Sequence, residues 1–324
     1  MGRDELPRSG SISLSPQAGP LAWRTVSTPE AQWMIWLAAM RPRTLPAAIS
    51  PVIVGSTLAW HARAFSPAAA AVCLAFALLV QVGANFANDY YDFVHGADTG
   101  ERVGPRRAVA AGLVAPATMR RAMWLVFAFA FFTGLTLVAW GGWWLVAIGV
   151  ASVLSGIAYT GGPYPLGYHG LGDVFVFVFF GLVAVGATFY VQAGSVNAGV
   201  VLAAVAVGAL ATNILLVNNY RDAATDAKAG KRTLVVRFGK RFARWQFAVA
   251  IGIAAATPLC LGALGLFRMG SGAAVALVSA GFGFPLVRAL QKAATPADCL
   301  GLLGKTSGFL SGYALLLAGA IAAG

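Results

Sequence analysis

Charge is scarce in this chain: Asp, Glu, Lys and Arg make up only 10% of its 324 residues, where a soluble domain carries about a quarter. With 59% of the residues hydrophobic, that shortage excludes water as the main solvent. Cysteine is nearly absent too. Cys73, Cys260 and Cys299 are an odd number, lie in or beside apolar runs and lack the paired spacing of a zinc site; they are read as packing residues. Of the three histidines, His61 and His95 have no partner spacing that suggests a metal, and no Ser or Cys stands in a nucleophilic triad. The first 30 residues, rich in Ser, Pro and Gly, contain no apolar run long enough for a signal-peptide core. They read as a flexible cytoplasmic tail ahead of a single transmembrane domain, 31–324.

Long apolar runs are what the chain does have. A spanning helix needs roughly 20 mainly apolar residues, and such windows fall at 32–60, 67–91, 119–140, 142–160, 172–193, 198–220, 244–266, 271–290 and 305–323. They predict an all-α integral membrane protein, a bundle of about nine transmembrane helices. The first contains Pro42, Pro46 and Pro51, tolerated in a membrane helix whose freed backbone groups find partners in the bundle, so it is expected to bend. The net charge of +12 sorts by side. With the tail in the cytoplasm, only Arg63 and Arg268 of the 23 Lys and Arg fall in outer loops. This positive-inside bias predicts a cell (inner) membrane protein with its N-terminus inside. It also assigns the basic charge to topology and to anionic lipid or substrate, and not to nucleic acid.

Acidic residues number only 11, and an intramembrane carboxylate costs on the order of 2.5 to 3.5 kcal/mol even on insertion scales, so their positions carry information. The second span ends in Asn85, Asn88, Asp89 and Asp92, spaced i, i+3, i+4, i+7 on one helix face. The sixth ends in Asn218, Asp222 and Asp226, repeating every fourth residue. Both ends lie on the inner side. Carboxylates gathered in a poorly solvated place repel, and either protonate or hold cations. Mg²⁺ is usually bound by one or two carboxylates plus substrate phosphate oxygens, so two such stripes suit a diphosphate clamped through metal. The neighbouring cations Arg102, Arg106, Arg107, Arg221, Lys228, Lys231 and Arg232 suit the remaining phosphate charge.

At these residues the sequence resembles the UbiA superfamily of intramembrane aromatic prenyltransferases, whose two Asp-rich motifs close the second and sixth of nine helices. Four stretches bring it nearest to the branch that prenylates 1,4-dihydroxy-2-naphthoate for menaquinone synthesis: RPRTLPAAISPVIVG from Arg41, NDYYDFVHGADTGERVGP from Asn88, YTGGPYPLGYHGLGD from Tyr159 and NNYRDAATDAKAGKRTLVVRFG from Asn218. Two departures from the superfamily's usual spelling stand out. Asp98 follows Asp92 by six positions instead of four, and the second motif reads NNxRDxxxD, unlike 4-hydroxybenzoate enzymes.

The resemblance implies that an all-trans polyprenyl diphosphate is bound through Mg²⁺ on Asn88, Asp89, Asp92, Asp222 and Asp226, with those four Asp as the catalytic carboxylates. It implies diphosphate contacts from Arg102, Arg106, Arg221, Lys228, Lys231 and Arg232. The aromatic acceptor is expected near Arg43, Tyr159, Thr160 and Tyr164, and membrane lipid around the groove for the tail. The implied reaction gives demethylmenaquinone, CO₂ and diphosphate. Another acceptor, such as 4-hydroxybenzoate, homogentisate or a tetrapyrrole, stays open from the sequence. So does a transporter, which would place its acids at mid-membrane; prenyl chain length is not legible.

Overall fold

The computed structural model describes residues 29–98, 104 and 107–323. Arg102, Arg106 and the first 28 residues lie outside the described part. Among the described residues the chain is helical, without strands. We number the helices α1 (Pro29–Met40), α2 (Pro46–His61), α3 (Pro67–Val94), α4 (Pro116–Gly141), α5 (Trp144–Ala158), α6 (Gly172–Ala193), α7 (Ala198–Lys228), α8 (Leu234–Ala263), α9 (Met269–Lys292) and α10 (Asp298–Ala322). Seven of them, α3, α4 and α6 through α10, are long and apolar enough to cross a membrane, and α5 is a shorter apolar helix. With α1 and α2 sharing the first predicted span, the bundle is in line with the nine segments read from hydropathy.

The first span is broken at Arg41, which takes a left-handed conformation (φ 53°) before a short 3-10 turn over Pro42–Thr44. A residue preceding proline is disfavoured in the right-handed helical region, and Pro42 and Pro46 both lack an N–H. Side chains of α3 satisfy the groups this break frees. Asn85 Nδ2 donates to the Met40 carbonyl (2.8 Å), and Gln81 Nε2 donates to Thr44 Oγ1 (3.1 Å), whose hydroxyl donates to the Arg41 carbonyl (3.0 Å). Pro51, by contrast, sits inside an uninterrupted α2.

α7 is the central post: 78% of its most apolar window is buried, against 22% for α3 and for α4. It packs on α2, α6, α8 and α10, and α10 closes against α2. The crossing of α6 and α7 is the tightest. A Cβ on Gly181 would sit 2.6 Å from Gly208 Cα and from the Ala204 carbonyl oxygen, so two glycines allow backbone contact, as is common between membrane helices. At this crossing α6 widens into a π-turn over Phe177–Val183, a feature frequent at functional sites.

Candidate active site

α3 and α7 finish at the same end of the bundle, and their polar last turns face one cavity of about 100 Å³. Asn88, Asp92 and Asp98 line it from one side and Asn218, Asp222 and Asp226 from the other. The structure therefore brings both acidic stripes together. Asp92 is 2% exposed and takes three donors: Arg107 Nη2 at 2.8 Å, Lys231 Nζ at 2.9 Å and the Tyr168 hydroxyl at 2.9 Å. Arg107 Nε also lies 3.4 Å from Asp98 Oδ2, and Lys231 stands 4.5 Å above the Tyr168 ring. Burial and the Asp92 charge push the Tyr168 hydroxyl well above the usual phenol range. It stays protonated and serves as a donor, not a base. Behind the opposite wall Arg221, which does not itself line the chamber, forks onto Asp222, Nε and Nη2 each donating at 2.7 Å. Such a fixed fork matches carboxylate geometry.

A second, larger cavity of about 250 Å³ is almost wholly apolar. It runs between α2, α3, α4, α5, α6 and α7, from Asn88 and Tyr159 at one end to Cys73, Leu137, Leu145 and Val191 at the other. At the rise of an α-helix, Asn88 and Cys73 of α3 are about 22 Å apart. Asn88, Tyr159 and Leu215 line both cavities, so these three form a neck between an oily channel and a charged chamber. Thr160 fixes one side of the neck by donating to Asn88 Oδ1 (2.9 Å).

Not every sequence-predicted residue reaches this place. Asp89 does not line the charged chamber; its carboxylate is buried and takes the backbone N–H groups of Ala108 (3.0 Å) and Val109 (3.1 Å). Arg43 is exposed and lines neither cavity, its carbonyl accepting from Ser307 Oγ (2.6 Å). Tyr164 is 55% exposed and stacks on His169 (3.6 Å between centroids). Lys228 is exposed, as is Arg232, whose backbone N–H donates to the Tyr168 carbonyl (2.7 Å). Tyr159 and Thr160, in contrast, do line the chamber.

Arg107, read from the sequence among the cations that suit the phosphate charge, lines the chamber, and so do two residues outside the predicted site, Arg41 and Tyr168. Arg41 carried a readable signal, since the proline after it forces the turn that swings its side chain away from the course of α1. Tyr168 carried none of its own, because it arrives on the connection between α5 and α6.

Among the described residues, no three His, Cys, Asp or Glu side chains converge closely enough to hold a metal ion alone. The donors facing the chamber are nonetheless hard oxygens on two opposed walls. That fits an ion of the Mg²⁺ type, whose shell is normally completed by substrate oxygens and water.

An oily channel joined to a charged chamber inside a helical membrane bundle is the architecture of an enzyme that works on a lipid with an anionic head. The family model for the UbiA prenyltransferase family matches residues 48–322, and the chain belongs to that family of membrane-embedded transferases. Its curated relatives include the 1,4-dihydroxy-2-naphthoate octaprenyltransferase of Escherichia coli, 39% identical over 73% of this chain and 78% of that one. The enzyme of the same name from Mycobacterium tuberculosis is 38% identical over 71% and 82%, and that of Mycobacterium leprae 35% identical over 90% and 97%. Among solved structures, a UbiA homolog from Archaeoglobus fulgidus bound to DMAPP and Mg²⁺ shares the fold, with a TM-score of 0.60 at 15% identity over 88% of this chain and 99% of that chain.

Proposed function

We propose that the protein transfers a polyprenyl group from an all-trans polyprenyl diphosphate to 1,4-dihydroxy-2-naphthoate, releasing diphosphate and CO₂ and giving the demethylmenaquinone nucleus in its quinol form. The observation that carries this reading is the neck at Asn88, Tyr159 and Leu215, residues that line both the apolar channel and the chamber holding both acidic stripes. A prenyl diphosphate has the same division, an isoprenoid tail ending in a doubly phosphorylated head, with the bond to be broken at the junction.

The tail lies in the channel and the head in the chamber. There Arg107 and Lys231, both now on Asp92, are in reach of diphosphate oxygens, so the leaving group meets preorganised positive charge as the allylic C–O bond ionises. Asn88, Asp92, Asp222 and Asp226 would hold Mg²⁺ together with substrate oxygens, and the ion would supply Lewis-acid neutralisation of the same charge. The apolar walls above the neck keep water from the allylic cation. The acceptor enters beside Tyr159 and Thr160, and Arg41, not Arg43, is placed to meet its carboxylate. An electron-rich ring carbon forms the new C–C bond, and the carboxylate on that carbon leaves as CO₂. The positive-inside charge pattern supports a chamber facing the cytoplasm and residence in the cell membrane.

The test is product formation by the purified protein in detergent, with octaprenyl diphosphate, either the naphthoate or 4-hydroxybenzoate, and Mg²⁺ or EDTA. Prenylated naphthoate with CO₂ release, abolished by EDTA, is the expected result. Product from the benzoate alone would overturn the acceptor, and naphthoate product undiminished in EDTA would overturn the metal.

A further inference from the structure

We propose that Asp89 is a positioning residue and not a metal ligand: it fixes the turn 107–114 over the end of α3 and thereby presents Arg107 to the charged chamber. The inference rests on the prenyltransferase reading for its catalytic consequence, but its structural half stands on geometry alone. Asn88 and Asp92 face the chamber from the same helix end, whereas Asp89 does not line it. Asp89 is 2% exposed, and each of its oxygens is already engaged by a backbone amide, Oδ2 by Ala108 (3.0 Å) and Oδ1 by Val109 (3.1 Å).

The segment it holds is a closed turn. Leu113 and Val114 donate to the Ala108 carbonyl (2.9 and 3.1 Å), Ala111 donates to that of Arg107 (2.9 Å), and Gly112 to that of Val109 (3.0 Å), with Gly112 at φ 69° making the reversal possible. The first amides of the turn point at Asp89, so the carboxylate does for this turn what an N-cap side chain does for a helix, but from another element. Ala108 and Val109 are themselves buried against Phe86, Met119 and Met123, which leaves the turn little freedom once the amides are held.

Arg107 opens that turn. Its side chain is 9% exposed and reaches Asp92 (2.8 Å) and Asp98 (3.4 Å), both of which line the chamber. Asp89 stands outside the chamber lining with each oxygen committed to a peptide N–H of the turn; its effect on the reaction passes through Arg107. Groups that orient a site from one shell out typically change activity by about 10- to 100-fold when removed.

The experiment compares Asp89→Asn, Arg107→Ala and the double variant with Asp92→Asn. An Asn at 89 keeps one acceptor oxygen but turns an NH₂ toward the second amide. We expect Asp89→Asn and Arg107→Ala each to lower kcat/KM by about 10- to 100-fold, and the double variant to lose no more than the worse single, as two residues on one path do. Binding of Mn²⁺ with inorganic diphosphate, read by electron paramagnetic resonance, is expected within about twofold of the parent in Asp89→Asn and clearly weakened in Asp92→Asn. Hydrogen exchange at the Ala108 and Val109 amides is expected to speed up in Asp89→Asn and to stay slow in Arg107→Ala. Mn²⁺ binding lost in Asp89→Asn as in Asp92→Asn, multiplicative losses in the double variant, or unchanged amide exchange would each overturn the proposal. The Mn²⁺ and exchange readouts need no turnover, so they decide it even if the assigned acceptor is wrong. Should Asp89→Asn fail to assemble, Arg107→Ala alone decides: slow turnover with protected amides supports the assignment, and normal turnover sinks it.

Discussion

Asp92 and Asp222 are both buried carboxylates gripped by cations, yet the two grips differ in kind. Asp92 is held by Arg107, Lys231 and Tyr168, which come from three different segments, so its donors can be handed to an incoming diphosphate without a helix moving. Asp222 is held by its own neighbour Arg221, and removing one partner of a buried pair costs roughly 3 to 5 kcal/mol. Asp222→Ala is therefore expected to lower the thermal midpoint in detergent, which confounds its activity. Asp226→Asn is the gentler probe of the second stripe, because the amide keeps the side chain's shape and one acceptor oxygen: turnover down about 100-fold or more is the expected result, and unimpaired turnover would remove Asp226 from the ligand set. The two arginines of the break separate just as plainly. Arg41→Ala should raise KM for the naphthoate at least about tenfold, the scale of one lost charged hydrogen bond, while Arg43→Ala, at an exposed position, should leave it nearly unaltered; equal effects would contradict the placement.

At the scale of elements, hydropathy read the spans well because lipid demands long apolar runs, and it read helix ends poorly because polar helices need not stop at the membrane. The apolar run of α7 ends at 220 but the helix continues to Lys228, as the every-fourth-residue spacing of Asn218, Asp222 and Asp226 implied, and carries Asp222 and Asp226 onto the chamber wall. α8 was expected from 244, whereas helix already begins at Leu234 and is kinked at Gly239 (φ 79°), since the charged residues before 244 make helix outside the apolar layer. The helical spacing placed Asn85, Asn88, Asp89 and Asp92 on one face, as they are. A face of that width spans both the chamber and the neighbouring turn, however, and only the fold shows that Asp89 belongs to the turn. The bend of the first span was legible in its prolines, though not its place: Pro42 and Pro46 flank the break and Pro51 does not. Nothing in the sequence announced the π-turn of α6. Its contact with Gly208 gives a direct test: Gly208→Val would put side-chain atoms into the Phe177 carbonyl, 2.7 Å from an added Cβ. Overpacking of that sort costs about 1 to 3 kcal/mol, visible as a lower thermal midpoint, and an unchanged midpoint would mean that the crossing yields more easily than its packing implies.

For the whole molecule, the charge asymmetry that predicted topology has a measurable counterpart. With Cys73, Cys260 and Cys299 replaced, a single cysteine at His61, the exposed last residue of α2, should react with an impermeant maleimide in intact cells. One at Gly230, just past the end of α7, should react only after permeabilisation. The reverse pattern would invert the protein and put its chamber on the outer face.

The neck at Asn88, Tyr159 and Leu215 also bears on why the reaction runs one way. In the proposed reaction the new bond forms at that constriction, with the prenyl tail of the product on its oily side and the diphosphate on its charged side, and the two products dissolve into different phases. Reversal would need the two to meet again at one point from two immiscible reservoirs. The partition of products between bilayer and water thus acts as a ratchet, and the constriction where the chain is cut is also where the products part.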